Sequence, residues 1–272
     1  MVKCQVESIY KETYFLCRDL ESKKQGIITW TNYSRSYFKL KKEIYLGKII
    51  EAEVLSEGQD GMLRLSRAGA LLHKRKEKIN YFTERLAAND SIELYVDELH
   101  GRRIYRDLSK LIPYSVMLPA TNGMVVGFDN NHIYLEIEEL DILGVLPINY
   151  LSWHRIKDTS KLKYYIGQTI DVKLIGYSSS VKVTDGGGKV HKVRDCFICS
   201  SALTEVPDTQ KLSMLKGMKV KATVVASNSS GSILRNSIIP VDLYSKKYET
   251  KGKEIECVLG NFDVNRTVID IE

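Results

Sequence analysis

The chain has 272 residues, 43% hydrophobic and 27% charged, a size and balance that exclude one small domain and fit about two to four compact ones of ordinary globular composition. No apolar run approaches the roughly 18 residues of a membrane span, and the opening MVKCQVESIY lacks the apolar core of a signal peptide. The net charge of +6 is compatible with a polyanionic partner without demanding one.

Residues 3–20 predict two short strands around Lys11 and Glu12, because Val6, Ile9, Tyr14 and Leu16 suit pleated, half-buried surfaces. Gly26–Ser34 supplies a third strand and a turn. Lys48–Leu55 alternates with a period of two, Gly58–Gly61 is a turn signal, and Met62–Arg67 is a last strand. Five short strands with Gly-rich turns predict a small closed barrel over residues 1–69.

Residues 70–119 differ. Leu72, Ile79, Phe82 and Leu86 share a helical face, so a basic amphipathic helix is predicted, ending near Asn89. Residues 91–119 predict two or three strands bounded by Pro113 and Pro119, a partial module. Residues 120–206 open with a hairpin around Asp129–Asn131. They close with a long hairpin in which valines flank Gly186–Gly188, an extension of the last two strands of a second barrel. Residues 207–272 hold a third copy with a polar hairpin turn at Ser227–Ser232.

Two phrases recur in order three times. The first is GIITWTNYS at Gly26–Ser34, GVLPINYLSW at Gly144–Trp153 and SIIPVDLYS at Ser237–Ser245. The second is LGKIIEAEVL at Leu46–Leu55, IGQTIDVKLI at Ile166–Ile175 and KGKEIECVLG at Lys251–Gly260. Such internal repetition signals tandem modules. With the closing GMLRLSRAG at Gly61–Gly69, these phrases resemble the S-one RNA-binding repeat, the five-stranded OB-fold barrel named after the largest small-subunit ribosomal protein. The resemblance implies an all-β protein of tandem OB barrels with a short helical and partial-β connector. It also implies non-catalytic binding of single-stranded RNA with low sequence specificity, in translation or RNA handling. Single-stranded DNA, or a ribosomal or other protein partner, is the alternative.

The family's ligand face carries aromatics on the second strand, a histidine on the third and an arginine on the fifth. By resemblance, Phe15, Tyr134 and Ile233 take the first position, Thr29, Pro147 and Pro240 the second, and Arg64 and, loosely, Arg266 the third. The histidine is thus absent throughout, and the third copy is expected to be depleted and to serve packing or protein contacts. An OB barrel binds single strands by stacking bases on aromatics and tracking phosphates with cations. Candidate stackers are Phe15, Trp30, Tyr33, Tyr134 and Trp153; candidate cations are Arg18, Arg64, Arg67, Arg155, Lys182, Lys189, Lys192 and Arg194. Trp30 and Trp153 either stack or plug a barrel end, and either Phe15 or its neighbour Leu16 faces inward.

Catalytic signatures are missing. Cys196 and Cys199 have CxxC spacing without a second pair, so no zinc site is expected. The five histidines have no HExxH spacing, and no phosphate-binding loop or nucleophile elbow occurs. No cofactor is expected. Five cysteines at unrelated spacings point to a reducing, cytoplasmic compartment.

Overall fold

The structure is a computed structural model that describes residues 1–11, 13–33, 42–87, 111–112, 115–129, 131–137, 140–154, 156, 164–184 and 190–272. Three five-stranded barrels follow one another. Barrel one contains β1 (Val2–Tyr10), β2 (Tyr14–Asp19), β3 (Gln25–Thr29), β4 (Ile49–Glu57) and β5 (Leu63–Ser66). Barrel two contains β6 (Ala120–Phe128), β7 (His132–Ile137), β8 (Ile142–Pro147), β9 (Thr169–Thr184) and β10 (Val190–Ser200). Barrel three contains β11 (Lys219–Asn228), β12 (Gly231–Arg235), β13 (Asp242–Ser245), β14 (Glu254–Asp263) and β15 (Val268–Ile271).

Each barrel closes in the order first, second, third, fifth, fourth. All neighbours are antiparallel except the third and fifth strands, which run parallel. This is the OB arrangement. The all-β tandem architecture expected from the repeats is therefore the one observed.

The repeated phrases acquire a physical meaning. Gly47, Gly167 and Gly252 have φ of 78°, 93° and 87°, a left-handed conformation that a Cβ disfavours. Each opens the turn into a fourth strand. Each also clamps that turn to the first strand: Gly47 N donates to Val6 O, Gly167 N to Val125 O and Gly252 N to Val224 O, all at 2.8 Å. Val6 N, Val125 N and Val224 N donate back to Lys48 O, Gln168 O and Lys253 O. In all three copies the first strand bulges just beyond that valine.

The glycine that begins the other phrase faces a barrel interior. A Cβ on Gly26 would lie 2.6 Å from Leu65 Cδ1, and one on Gly144 2.7 Å from Ile137 Cδ1. In barrel three the pairing places Leu243 at the same point. The Ser237–Pro240 match consequently falls ahead of β13 rather than within it, and Pro240 is not the counterpart of Pro147.

Among the described residues four α-helices connect or cap the barrels: α1 (Trp30–Tyr33), α2 (Arg67–Ala70), α3 (Leu72–Ala87) and α4 (Thr209–Met214). The basic helix expected after barrel one is α3. Of the strands expected at 91–119, residues 91–110 and 113–114 lie outside the described residues, and the described remainder forms turns.

Barrel one docks on barrel two through buried charge. Arg67, at the start of α2, ion-pairs with Glu136 on β7, with both side chains about 5% exposed. Tyr45 Oη donates to the second Glu136 oxygen at 3.0 Å. Arg75 of α3 bonds Asp141 at 3.0 Å and the Leu140 carbonyl at 3.1 Å. Further along α3, Phe82 meets Phe197 of β10 edge-on, with ring centroids 5.6 Å apart. Barrels two and three meet where His154 Nδ1 lies 2.9 Å from the fully buried Asp242, which also receives Arg235 at 3.1 Å.

Candidate nucleic-acid interface

The OB ligand surface is the outer face of the second and third strands, flanked by the loops joining strands one to two and four to five. Alternation decides which residues reach it. In β2, Phe15, Cys17 and Asp19 are buried while Tyr14, Leu16 and Arg18 are half-buried. Leu16 pairs with Ile27, and Ile27 with Arg64, giving one row across β2, β3 and β5. Tyr14 pairs with Thr29 on one side of this row, and Arg18 with Gln25 on the other. Tyr10, half exposed, pairs with Tyr14 at the end of the first hairpin, and Lys11 Nζ lies 5.1 Å from the Tyr10 ring centre.

This face combines an apolar floor, two tyrosines and several cations. Its cations are held by surface carboxylates: Arg18 by Glu7 at 2.6 Å, Lys24 by Glu57 at 2.7 Å and Arg64 by Asp60 at 3.3 Å. The hydrogen bond and charge of Glu7 raise the Arg18 pKa above its ordinary value. Exposed pairs of this kind contribute little to stability, so a phosphate can replace the carboxylate at small cost.

The equivalent row in barrel two is Tyr134, Val145 and Ile198. All three are at most 2% exposed. Tyr134 donates its hydroxyl to Asp129 at 2.5 Å. Burial opposes ionisation of Asp129, but hydrogen bonds from His132, Tyr134 and Asn131 N prevail and hold its pKa down at about 2. The next outward residue of β7 is Glu136, the acceptor for Arg67 and Tyr45 of barrel one. The outer face of barrel two is thus used within the chain.

In barrel three the row is Ile233, Tyr244 and Asp270. The aromatic missing from the second strand reappears on the third, so the expected depletion is of one position rather than of the face.

Several candidate stackers are relocated. Phe15 is in the core of barrel one, packed on Tyr33 at 4.4 Å and Tyr45 at 6.1 Å between ring centroids. Tyr33 is fully buried. Trp30 is half-buried and stacks on Tyr33 at 5.9 Å, with its ring inclined by 10°. Trp153 is buried and donates its indole N–H to the carbonyls of Ala202 at 2.7 Å and Glu205 at 2.9 Å, so it plugs the end of barrel two. Phe15, Tyr33, Tyr134 and Trp153 therefore have no face available to a base in this structure. Burial removes a large apolar ring from water, and the strand parity of β2 turns Phe15 rather than Leu16 inward.

Of the cations, Arg18 and Arg64 lie on the barrel-one face, while Arg67 is committed to Glu136. Arg155 and Lys189 lie outside the described residues. Lys182, Lys192 and Arg194 belong to the part of β9 and β10 that pairs only with itself, beyond the contacts with β6 and β8. There Lys182 is directly opposite Lys192, and Arg194 is opposite Ser180. Sequence reasoning missed Tyr10, Tyr14, Leu16, Ile27 and Tyr244. The alternation in YFLCRD carried the signal, since Arg18 marks the outer parity that Tyr14 and Leu16 share.

No family model matches the chain, and no curated relative matches it. Among solved structures it is similar to a multidomain protein with nucleic-acid-binding domains from Streptococcus pneumoniae, at 8% identity and a TM-score of 0.21, covering 100% of this chain and 72% of that one. It is also similar to Drosophila Unr CSD456, at 9% identity and a TM-score of 0.23, covering 99% and 94%. GSP13 from Bacillus subtilis matches 34% of this chain and 59% of its own, at 17% identity and a TM-score of 0.23. Likenesses this distant say nothing about the ligand; the OB assignment rests on strand order.

Proposed function

We propose that the chain is a non-catalytic protein that binds single-stranded RNA with low sequence specificity, chiefly through barrel one. The observation that carries this reading is the half-exposed row Leu16–Ile27–Arg64, with Tyr14 and Arg18 on the same face. Bases need flat apolar surface, which Tyr14, Tyr10, Leu16 and Ile27 offer. Phosphates need cations at the rim, which Arg18, Arg64 and Lys11 offer. The resemblance of the repeated phrases to S-one modules supports the same ligand and a role in translation or RNA handling.

The test is fluorescence anisotropy with labelled single-stranded RNA and DNA of matched sequence, at low and near-physiological salt. Binding that weakens with salt and is reduced in Arg64→Ala and Tyr14→Ala is the expected result. A preference for RNA would reflect contacts to the 2′-hydroxyl. Absence of binding to either strand at low salt would overturn the reading and favour a protein partner.

A further inference from the structure

Barrel three carries a second, chemically different constellation at the same place in its fold. Tyr244 stands in the middle of the outer row of β12, β13 and β15, between Ile233 and Asp270. Its hydroxyl donates to the Ser230 carbonyl in the turn between β11 and β12, which fixes the ring. Arg266, in the turn between β14 and β15, lies over that ring with its guanidinium carbon 4.3 Å from the centre. The arginine is tied only loosely, by Asp270 at 3.4 Å and Asp263 at 3.7 Å, and is 41% exposed. Contacts of this length between exposed groups are weak, so the guanidinium can lift from the ring at small cost.

An aromatic ring with a guanidinium above it offers two stacking surfaces to an unstacked base, since bases stack on both groups. The charge of this site is opposite in sense to that of barrel one: one cation stands against two carboxylates. It therefore repels phosphate and favours a ligand edge rich in N–H donors. Asp270 is the neighbour of Tyr244 across the parallel ladder, which places a carboxylate beside the edge of a ring stacked on the tyrosine. Guanine presents its N1–H and its amino group on one edge, a pair that a carboxylate accepts together. Uracil presents two carbonyls and one N–H.

The geometry points to a base-reading site on barrel three that takes one guanine between Tyr244 and Arg266, with Asp270 accepting from its Watson–Crick edge. This goes beyond the sequence-tolerant binding assigned to barrel one and requires only that single-stranded RNA is a ligand of the chain. Barrel one would supply salt-dependent affinity, and barrel three would supply selection at one nucleotide.

The experiment uses the full chain and two labelled oligoribonucleotides of about 12 nucleotides, one all uridine and one with a single central guanosine. The guanosine oligomer is expected to bind about five- to a hundredfold more tightly. Inosine, which lacks the amino group, should lose much of that preference. Asp270→Asn and Tyr244→Leu should abolish the preference, and circular dichroism checks that both variants fold. Equal affinity of the native chain for the two oligomers overturns the inference, as does a guanosine preference that persists in both variants. Oligouridylate binding without a preference leaves the barrel-one reading intact and removes only this one. Preference without oligouridylate binding does the reverse, and no binding to either oligomer removes both.

Discussion

In barrel one the outward positions of the second, third and fifth strands hold Leu16, Ile27 and Arg64, all half-exposed. In barrel two the same ladder positions hold Tyr134, Val145 and Ile198, all buried. The strand order, the bulge in the first strand and the glycine clamp are shared, so the fold does not explain the difference. The neighbouring position on β7 is engaged as well. Glu136 there receives Arg67 and Tyr45 from barrel one, so docking occupies that position of the barrel-two face. A tandem repeat thus does not imply a tandem binding site. A module's surface is available only if its neighbour does not pack on it.

The strongest way to break this contrast is to remove the docking charge. Arg67→Ala leaves Glu136 buried without its guanidinium and should cost about 3–5 kcal/mol, read as a lower midpoint in urea unfolding; an unchanged midpoint would mean the junction is not what closes barrel two. A more direct probe compares the two faces. Tyr14→Ala should reduce RNA affinity by about 1–3 kcal/mol in an anisotropy titration. Val145→Ala should leave affinity unchanged and instead lower stability by about 1–2 kcal/mol.

Trp153 separates packing from stacking. Trp153→Phe removes the donor shared by Ala202 and Glu205 and should cost about 1–3 kcal/mol, with RNA affinity unaltered; a selective loss of affinity would return the indole to the binding surface. Smaller still, Gly47→Ala should cost about 1–2 kcal/mol from its left-handed backbone alone, because nothing lies within 4 Å of the added Cβ.

A further effect is a pH dependence that Asp129 adds in barrel two. Asp129 has a folded pKa depressed to about 2 from an ordinary 3.8. Its contribution to stability is therefore complete above the ordinary value and lost as pH falls toward 2. Asp129→Asn should flatten that acid limb in chemical denaturation at a series of pH values. By contrast the buried thiols are silent in this range: burial, the leading cause, pushes Cys4 up to about 11 and Cys17 up to about 12.

The sequence alone determined the number of modules and their all-β character. These are local matters: a left-handed turn and a period of two are set by residues close in the chain. It also offered Arg18 and Arg64 as candidate cations, and both lie half-buried on the outer parity of their strands. Tertiary structure decided the rest. Phe15 and Leu16 are adjacent and both apolar, so only the pairing of Cys17 with the inward Gly26 settles which of them fills the core. Trp153 found its carbonyl partners about fifty residues away. Arg67 reads as one more cation beside Arg64 until Glu136, far along the chain and in another barrel, takes it out of solvent. Tyr244 becomes part of a face only when β15 lies down beside β13 and brings Asp270 next to it. Burial and partnership depend on contacts between distant segments, and no short stretch of sequence contains both sides of such a contact.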